Sequence, residues 1–156
     1  MKQRMGPYPS PGARKQWAAN DPSPMIALIS GELTASQKGV PLGVANVAGK
    51  SSNVWLSVGA SGKDDTNDLS VTVDVKINGT SCLTTAPIIA HVSGEASTNK
   101  TTKDDADTGV TQCVMDPDAN DVSYGDVLTY DMLLTRTASP TTEMCTFAIA
   151  VEFEPA

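Results

Sequence analysis

The sequence predicts an all-β protein: a β-sandwich of about eight strands, jelly-roll-like or immunoglobulin-like, behind an extended N-terminal arm. Three observations predict it. Val, Thr, Ser, Ala and Asp are abundant while aromatic residues make up only 4% of the 156 positions, a composition of short strands and polar turns rather than of a helical bundle. Residues 68–77 alternate strictly between apolar and polar and run directly into Asn78-Gly79. Turn-forming clusters then recur about every 8–12 residues, with no helical period between them.

The first element is the arm, residues 1–24. It contains Pro7, Pro9, Pro11, Pro22 and Pro24 and no periodic apolar run. Proline fixes φ and biases its predecessor toward extended geometry, so the arm is expected to be extended or polyproline-like. At ~3.1 Å per residue its reach is on the order of 70 Å, more than the diameter of a small domain. Residues 25–156 then form the sandwich domain.

Within that domain MIALISGELT (25–34) reads as a strand, VPLGVANVA (40–48) as a weaker one interrupted by glycine, and NVWLSV (53–58) as the next. GASGKDDTND (59–68) is an acidic turn. In DLSVTVDVKI (68–77), Leu69, Val71, Val73, Val75 and Ile77 form one face and Ser70, Thr72, Asp74 and Lys76 the other, the pattern of a strand with one wet side. Asn78-Gly79 suits a type I′ turn, whose two central residues need positive φ, so TSCL (80–83) is expected to return as a hairpin. PIIAHV (87–92) is a further strand that begins with a tolerable Pro87. SGEASTNKTTKDDADTG (93–109) is a long polar loop, of the kind that is usually functional or mobile. VTQCVM (110–115) resumes the sheet and DPDANDVSYGD (116–126) is turn chemistry. VLTYDMLLTR (127–136) points Leu128, Tyr130, Met132 and Leu134 inward, TASPTTE (137–143) turns, and MCTFAIAVEF (144–153) buries Cys145, Phe147, Ile149, Val151 and Phe153. Hairpins are expected over 68–83 and 127–153.

Charge separates the two parts. The arm carries Lys2, Arg4, Arg14 and Lys15 against Asp21, whereas residues 25–156 carry 7 basic and 17 acidic residues and a net charge of −10. Such a body repels nucleic acid and anionic membrane, and four basic residues in the arm give only a shallow electrostatic grip on DNA. Cys82, Cys113 and Cys145 are odd in number and lack the spacing of a zinc or redox motif; Cys113 and Cys145 lie in apolar strand runs and are expected as small buried hydrophobes, in a reducing environment. Lys2 and Arg4 are followed by Gly6-Pro7 rather than by an apolar h-region, and no stretch reaches the ~20 apolar residues of a membrane helix. Synthesis in a cytoplasm is the expectation.

Catalytic constellations are sparse, and the expectation is a protein that is not an enzyme and needs no cofactor. His91, the single histidine, is flanked by Ala90 and Val92 and has no nucleophile or acid beside it in sequence, so it is expected at a partly buried rim. Asp64, Asp65, Asp104, Asp105 and Asp107 lie in polar turns where solvation, not a raised pKa, is expected. Asp116, Asp118 and Asn120 have the 1, 3, 5 spacing of a calcium loop, with Asp121 and Asp126 nearby. Position 6 is Asp121 instead of Gly and position 12 is Val127 instead of Glu, so this is a weak metal candidate beside the simpler reading of an Asx-rich turn. Asn78-Gly79-Thr80 and Asn99-Lys100-Thr101 match the glycosylation pattern but read as turns.

The arm is the remaining candidate. Its own chemistry cannot order it, so order is expected from a neighbouring chain. Tyr8 and Trp17 would be its apolar anchors, and Arg4, Arg14 and Lys15 would pair with an acidic surface. Three phrases farther along, VTVDVKINGTSCLTTAP (71–87), SYGDVLTYDMLLTRTASPTTEM (123–144) and AIAVEFEP (148–155), resemble small β-rich virion proteins of tailed bacteriophages, a group described as capsid decoration, cement or head-fibre-like proteins. The resemblance lies in strand-and-turn phrases of the second half of the chain and does not include the arm. It implies a virion component with a sandwich fold and no catalytic residues. Together with the arm, the leading expectation is a structural decoration or cement protein on the capsid surface, with the major capsid protein and further copies of itself as partners. The alternative expectation is a carbohydrate- or receptor-binding sandwich of a phage tail or head fibre, for which Trp55 and Tyr124 are the aromatic candidates, Tyr130 being expected to face inward.

Overall fold

A computed structural model describes residues 23–103 and 107–155. They form an all-β fold without a helix among them, in the chain order β1 (Met25–Glu32), β2 (Gln37–Val44), β3 (Gly49–Ala60), β4 (Ser70–Ile77), β5 (Thr80–Ser81), β6 (Leu83–Thr85), β7 (Ile88–Ala90), β8 (Lys100–Thr101), β9 (Val110–Thr111), β10 (Val114–Met115), β11 (Asp121–Val122), β12 (Val127–Thr135) and β13 (Cys145–Pro155). Six of these strands are long; the other seven span two or three residues and fasten loops to the edges of the long ones, which is why about eight were legible in the sequence.

The long strands divide between two antiparallel sheets. Sheet A has the order β1-β13-β3-β11, with β8 also on β3. Sheet B has the order β2-β12-β4-β7-β9, with β5 also on β4, and β6 and β10 make a separate ribbon. The chain changes sheet at every connection between consecutive long strands up to β4, and again between β12 and β13. Sheets built this way face one another and close a common core. Val54, Leu56 and Val58 of β3 and Phe147, Ile149 and Val151 of β13 come from one side; Val71, Val73 and Val75 of β4 and Leu128, Tyr130 and Met132 of β12 come from the other; all are buried. Removing each such side chain from water contributes about 1.5–3 kcal/mol, enough for the sandwich to hold without staples.

The hairpin expected at 68–83 forms. Asn78 (φ 49°) and Gly79 (φ 87°) take the two left-handed conformations of the turn, and Lys76 and Ile77 pair with Ser81 and Thr80. Asn78 adds a second latch: its amide donates to Asp126 Oδ1 at 2.8 Å and its side-chain oxygen accepts from the Val127 N–H at 2.9 Å. The hairpin expected at 127–153 does not form. β12 pairs with β2 and β4, whereas β13 pairs with β1 and β3 in the opposite sheet. Residues 136–144 cross between the sheets, braced by an ion pair of Arg136 with Glu143 and by a bridge between Lys63 and Thr142. Two inward apolar stripes satisfy burial equally well side by side in one sheet or face to face across a core, so alternation alone does not choose.

One of the turn aspartates departs from the expected solvation. Asp64 is buried, its carboxylate accepting from Thr137 Oγ1 at 2.8 Å and from the Asn67 N–H at 3.1 Å, while Asp65 stays partly exposed. Asp104 and Asp105 lie outside the described residues. All three cysteines are free; Cys82 is buried, whereas Cys113 and Cys145, expected inside, are only half-buried, as is Phe153, because they lie near the ends of their strands and loops at the margin of the core. Burial pushes the Cys82 thiol up to about 11, and Cys113 Sγ caps the β3 edge by accepting from the Val54 N–H at 3.3 Å.

Candidate functional site

The polar loop at 93–109 is sewn into the fold. Thr101 and Lys100 of β8 pair with Ser57 and Val58, and Thr102, fully buried, returns hydrogen bonds in both directions to the backbone of Leu56. Lys100 is the main fastener. Only 4% exposed, its ammonium donates to the carbonyls of Ala90 (2.9 Å) and Thr108 (2.5 Å) and pairs with Glu95. Burial works against the Glu95 carboxylate, but the contact with Lys100 and the Val92 N–H (2.6 Å) outweigh it and hold its pKa below the usual range.

His91 sits at the centre of this arrangement. Its side chain is wholly buried, with Nε2 3.1 Å from Asp65 Oδ1 and Nδ1 3.9 Å from Glu95 Oε1; Nδ1 has no hydrogen-bond partner among the described residues. Asp65 accepts in addition from the Gly94 N–H at 2.9 Å; that bond first, and His91 second, hold its carboxyl down at about 2. The sequence offered His91 no local partner because Asp65 lies 26 residues away and arrives from another crossing between the sheets. The imidazole is thus fully buried and not at the partly buried or rim position expected from its sequence neighbours, because the 93–103 segment and Asp65 cover it. The four side chains Asp65, His91, Glu95 and Lys100 act as a polar clamp that ties the 93–109 loop to the ends of β7 and β3.

Asp116, Asp118 and Asn120 do not converge on a common point. The Asp116 carboxylate accepts from the Asp118 N–H at 3.0 Å, an Asx turn. Asn120 turns inward, donating from Nδ2 to the Ser51 carbonyl at 3.0 Å while its main-chain carbonyl accepts from the Ser51 N–H at 2.8 Å. Asp121 pairs with Lys50 at 3.2 Å and Asp126 accepts from the Ser123 N–H at 2.7 Å. No group of three or more His, Cys, Asp or Glu side chains among the described residues is placed to hold a metal ion.

An exposed apolar patch lies on the outside of sheet A. Strand register places Ala150 between Ile26 and Trp55, and Ala148 between Leu28 and Ser57, with Thr101 beyond. Ile26 and Leu28 are each 65% exposed. The two alanines lie low between the taller side chains of β1 and Trp55. A hollow of about 190 Å³ opens on their β3 side, over Ala148, Ala150 and Trp55, with Ser57, Thr101, Lys103 and Glu152 also lining it. The signal in the sequence was that MIALIS (25–30) and AIAV (148–151) are apolar on both parities, although in each strand only alternate residues reach the core. A second hollow, lined by Pro24, Ser52, Glu152, Phe153 and Glu154, opens where the chain enters β1. Of the other aromatics, Tyr124 is 80% exposed at a turn and Tyr130 is buried, its hydroxyl 3.2 Å from Gln37 Oε1. Arg4, Tyr8, Arg14, Lys15 and Trp17 lie outside the described residues.

Compared with protein-family models, with curated proteins and with solved structures, the chain matches none. No helix among the described residues is long and apolar enough to cross a membrane.

Proposed function

We propose that the chain is a structural virion protein, a capsid decoration or cement protein of the tailed-bacteriophage type, which binds the outer surface of a shell of major capsid protein and bridges neighbouring subunits with residues 1–24. The observation that carries this reading is a juxtaposition. An acidic sandwich presents an apolar outer sheet face, and a basic, Pro-rich arm is joined to the strand that borders that face. The sequence resemblance over 71–155 points the same way. Many modest contacts linked through one chain add up to firm attachment, because the second contact forms at high effective concentration.

The experiment is co-sedimentation with empty shells of the major capsid protein from the same phage. Full-length protein is expected to bind to saturation and to raise the temperature at which shells rupture. A full-length variant with Arg4, Arg14 and Lys15 changed to Glu and Tyr8 and Trp17 changed to Ala is expected to lose both effects. Equal occupancy and equal protection by that variant would sink the proposal.

A second reading, a carbohydrate- or receptor-binding module, draws on Trp55 beside its hollow and on the exposed ring of Tyr124. Glycan binding that disappears in Trp55→Ala or Tyr124→Ala, in a protein that ignores shells, would favour it.

A further inference from the structure

We propose that the trough on the outer face of sheet A, floored by Ala148 and Ala150 and walled by Trp55 on one side and Ile26 and Leu28 on the other, is the receptor for the N-terminal arm of a neighbouring copy of this chain. The inference rests on the bridging role proposed above and names the surface that accepts the bridge.

Shape is the first ground. Pro-rich segments are bound in grooves lined by aromatic residues, where their preformed extended backbone loses little entropy on docking. Small residues on the middle strand, Ala148 and Ala150, with larger ones on both flanks, make such a groove from an ordinary sheet face. Charge is the second. The arm carries four basic residues against one acidic residue, and Glu152 and Glu154 stand exposed on β13 at the end of the trough where the chain enters β1, the end away from Lys103, which also lines the hollow over the alanines. Aromatic and basic side chains on the arm thus find apolar floor and acidic end on the body.

The third ground is the state of the two edge strands. Edges of sheets are commonly guarded by Pro, Lys, Gly or bulges. β2, the edge of sheet B, contains Lys38, Gly39, Pro41 and Gly43 and two register shifts. β1, the edge of sheet A, carries its guards at one end, Gly31, Glu32 and a register shift after Ile29, whereas residues 25–30, Met-Ile-Ala-Leu-Ile-Ser, hold neither proline nor charge. That six-residue apolar stretch of edge, beside an apolar face, is expected to be covered in the assembled protein.

The bridging role proposed above selects a neighbour's arm over the chain's own, and residues 1–24 lead in sequence into β1, the strand that borders the trough. With a reach on the order of 70 Å, the arm spans to an adjacent domain. Donor and receptor on each copy make a head-to-tail contact, which closes into rings or runs on across a lattice.

The test uses full-length protein throughout. Heavy-isotope-labelled chain carrying a photo-crosslinking amino acid in place of Trp17 is mixed with unlabelled chain, irradiated and mapped by mass spectrometry. Crosslinks from labelled position 17 to unlabelled residues 49–60 or 145–155 are expected, and Ala150→Lys or Leu28→Lys in the unlabelled chain, which fills or repels at the trough, should lower their yield about tenfold. Leu28→Lys serves if Ala150→Lys shifts the unfolding midpoint. Crosslinks confined to the same chain, crosslinks to other surfaces, no crosslinks, or yields indifferent to both lysines overturn the inference. Shell binding separates it from the wider proposal. Binding that needs the arm but ignores both lysines keeps the decoration role and overturns the trough. Crosslinks into the trough by a protein that binds no shell keep the trough and overturn decoration.

Discussion

The outer faces of the two sheets are built from the same kind of strand and end in opposite chemistry. On sheet B, Ser70, Thr72, Asp74 and Lys76 of β4 stand opposite Thr135, Leu133, Asp131 and Thr129 of β12, and Lys76 Nζ lies 2.6 Å from Asp131 and 3.9 Å from Asp74. On sheet A the corresponding positions are Ile26, Leu28, Ala148, Ala150 and Trp55. Period-2 alternation explains the first completely: one face feeds the core and the other meets water. It explains the second less well: Ser57, Thr101 and Glu152 are polar there, but Ile26, Leu28, Ala148, Ala150 and Trp55 are apolar on the parity that does not feed the core. The difference teaches which outer face of this sandwich is the more apolar.

The comparison is sharpened most strongly within β13, which contributes to both the core and the trough. Phe147, fully buried, faces sheet B. Phe147→Ala is expected to cost about 3–5 kcal/mol in chemical denaturation, the transfer term plus the cavity it leaves. One residue farther on, Ala148→Ser is expected to change stability by less than about 0.5 kcal/mol. Equal effects at 147 and 148 would mean that the outer face of β13 is already packed in the free protein.

The next largest effect concerns the two edges of sheet A. The β1 edge is open, whereas the β3 edge is closed by β8, Cys113 and β11, with Lys100 as its fastener. Lys100→Met leaves Glu95 unpaired and two carbonyls without their donor, and is expected to cost about 3 kcal/mol. Hydrogen exchange should then rise selectively over the amides of 54–58 and 98–103. A uniform rise across both sheets would show that the clamp supports the whole fold and not one edge.

Much of this was legible in the sequence, and the failures have a common cause. The inward sets of β4 and β12, the Asn78-Gly79 turn and the all-β class follow from local pattern, because alternation and turn chemistry are properties of neighbouring residues. The hairpin at 127–153 failed because the seven-residue link TASPTTE crosses between sheets, and nothing local distinguishes a crossing from a wide turn. His91 was read without a partner because its partner Asp65 belongs to another crossing. Asp64 was read as solvated because Thr137, 73 residues away, supplies the hydroxyl that makes its burial tolerable. The trough was partly legible: apolar residues on both parities of MIALIS and AIAV announced it, but only the register of β1 on β13 and of β13 on β3 assembles them into one surface.

A matched pair of leucines tests the two faces directly. Leu28 on sheet A is 65% exposed and Leu133 on sheet B 58% exposed. Leu133 stands opposite Thr72 on β4, near Asp131 on its own strand; Leu28 stands beside Ile26, Ala148 and Ala150. Leu28→Lys and Leu133→Lys are each expected to alter stability by less than about 0.5 kcal/mol. Only Leu28→Lys should reduce the binding of an environment-sensitive apolar dye to the folded full-length chain. Equal loss from both would erase the distinction between the faces.

The smallest effect is one of pH, and it belongs to sheet B. The hydrogen bond from Lys76, followed by that from the Gly39 N–H at 2.7 Å, holds the Asp131 carboxyl below its ordinary value. A group whose folded pKa is depressed stabilises the fold above its unfolded pKa, ~3.9 for Asp, and loses that contribution as pH falls through the folded value. Asp131→Asn is therefore expected to flatten the upper part of the acid limb of the stability–pH profile, and added salt should shrink the difference, because the pair is open to solvent. Asp65 carries the same sign but titrates at about 2, so Asp65→Asn should act mainly at the lower end of that limb. On the trough side, Ile26, Leu28, Ala148 and Ala150 offer nothing to protonate. If Asp131→Asn leaves the acid limb unchanged, the polar finish of sheet B is a solvated surface with no energetic role, and the contrast between the faces reduces to hydrophobicity alone.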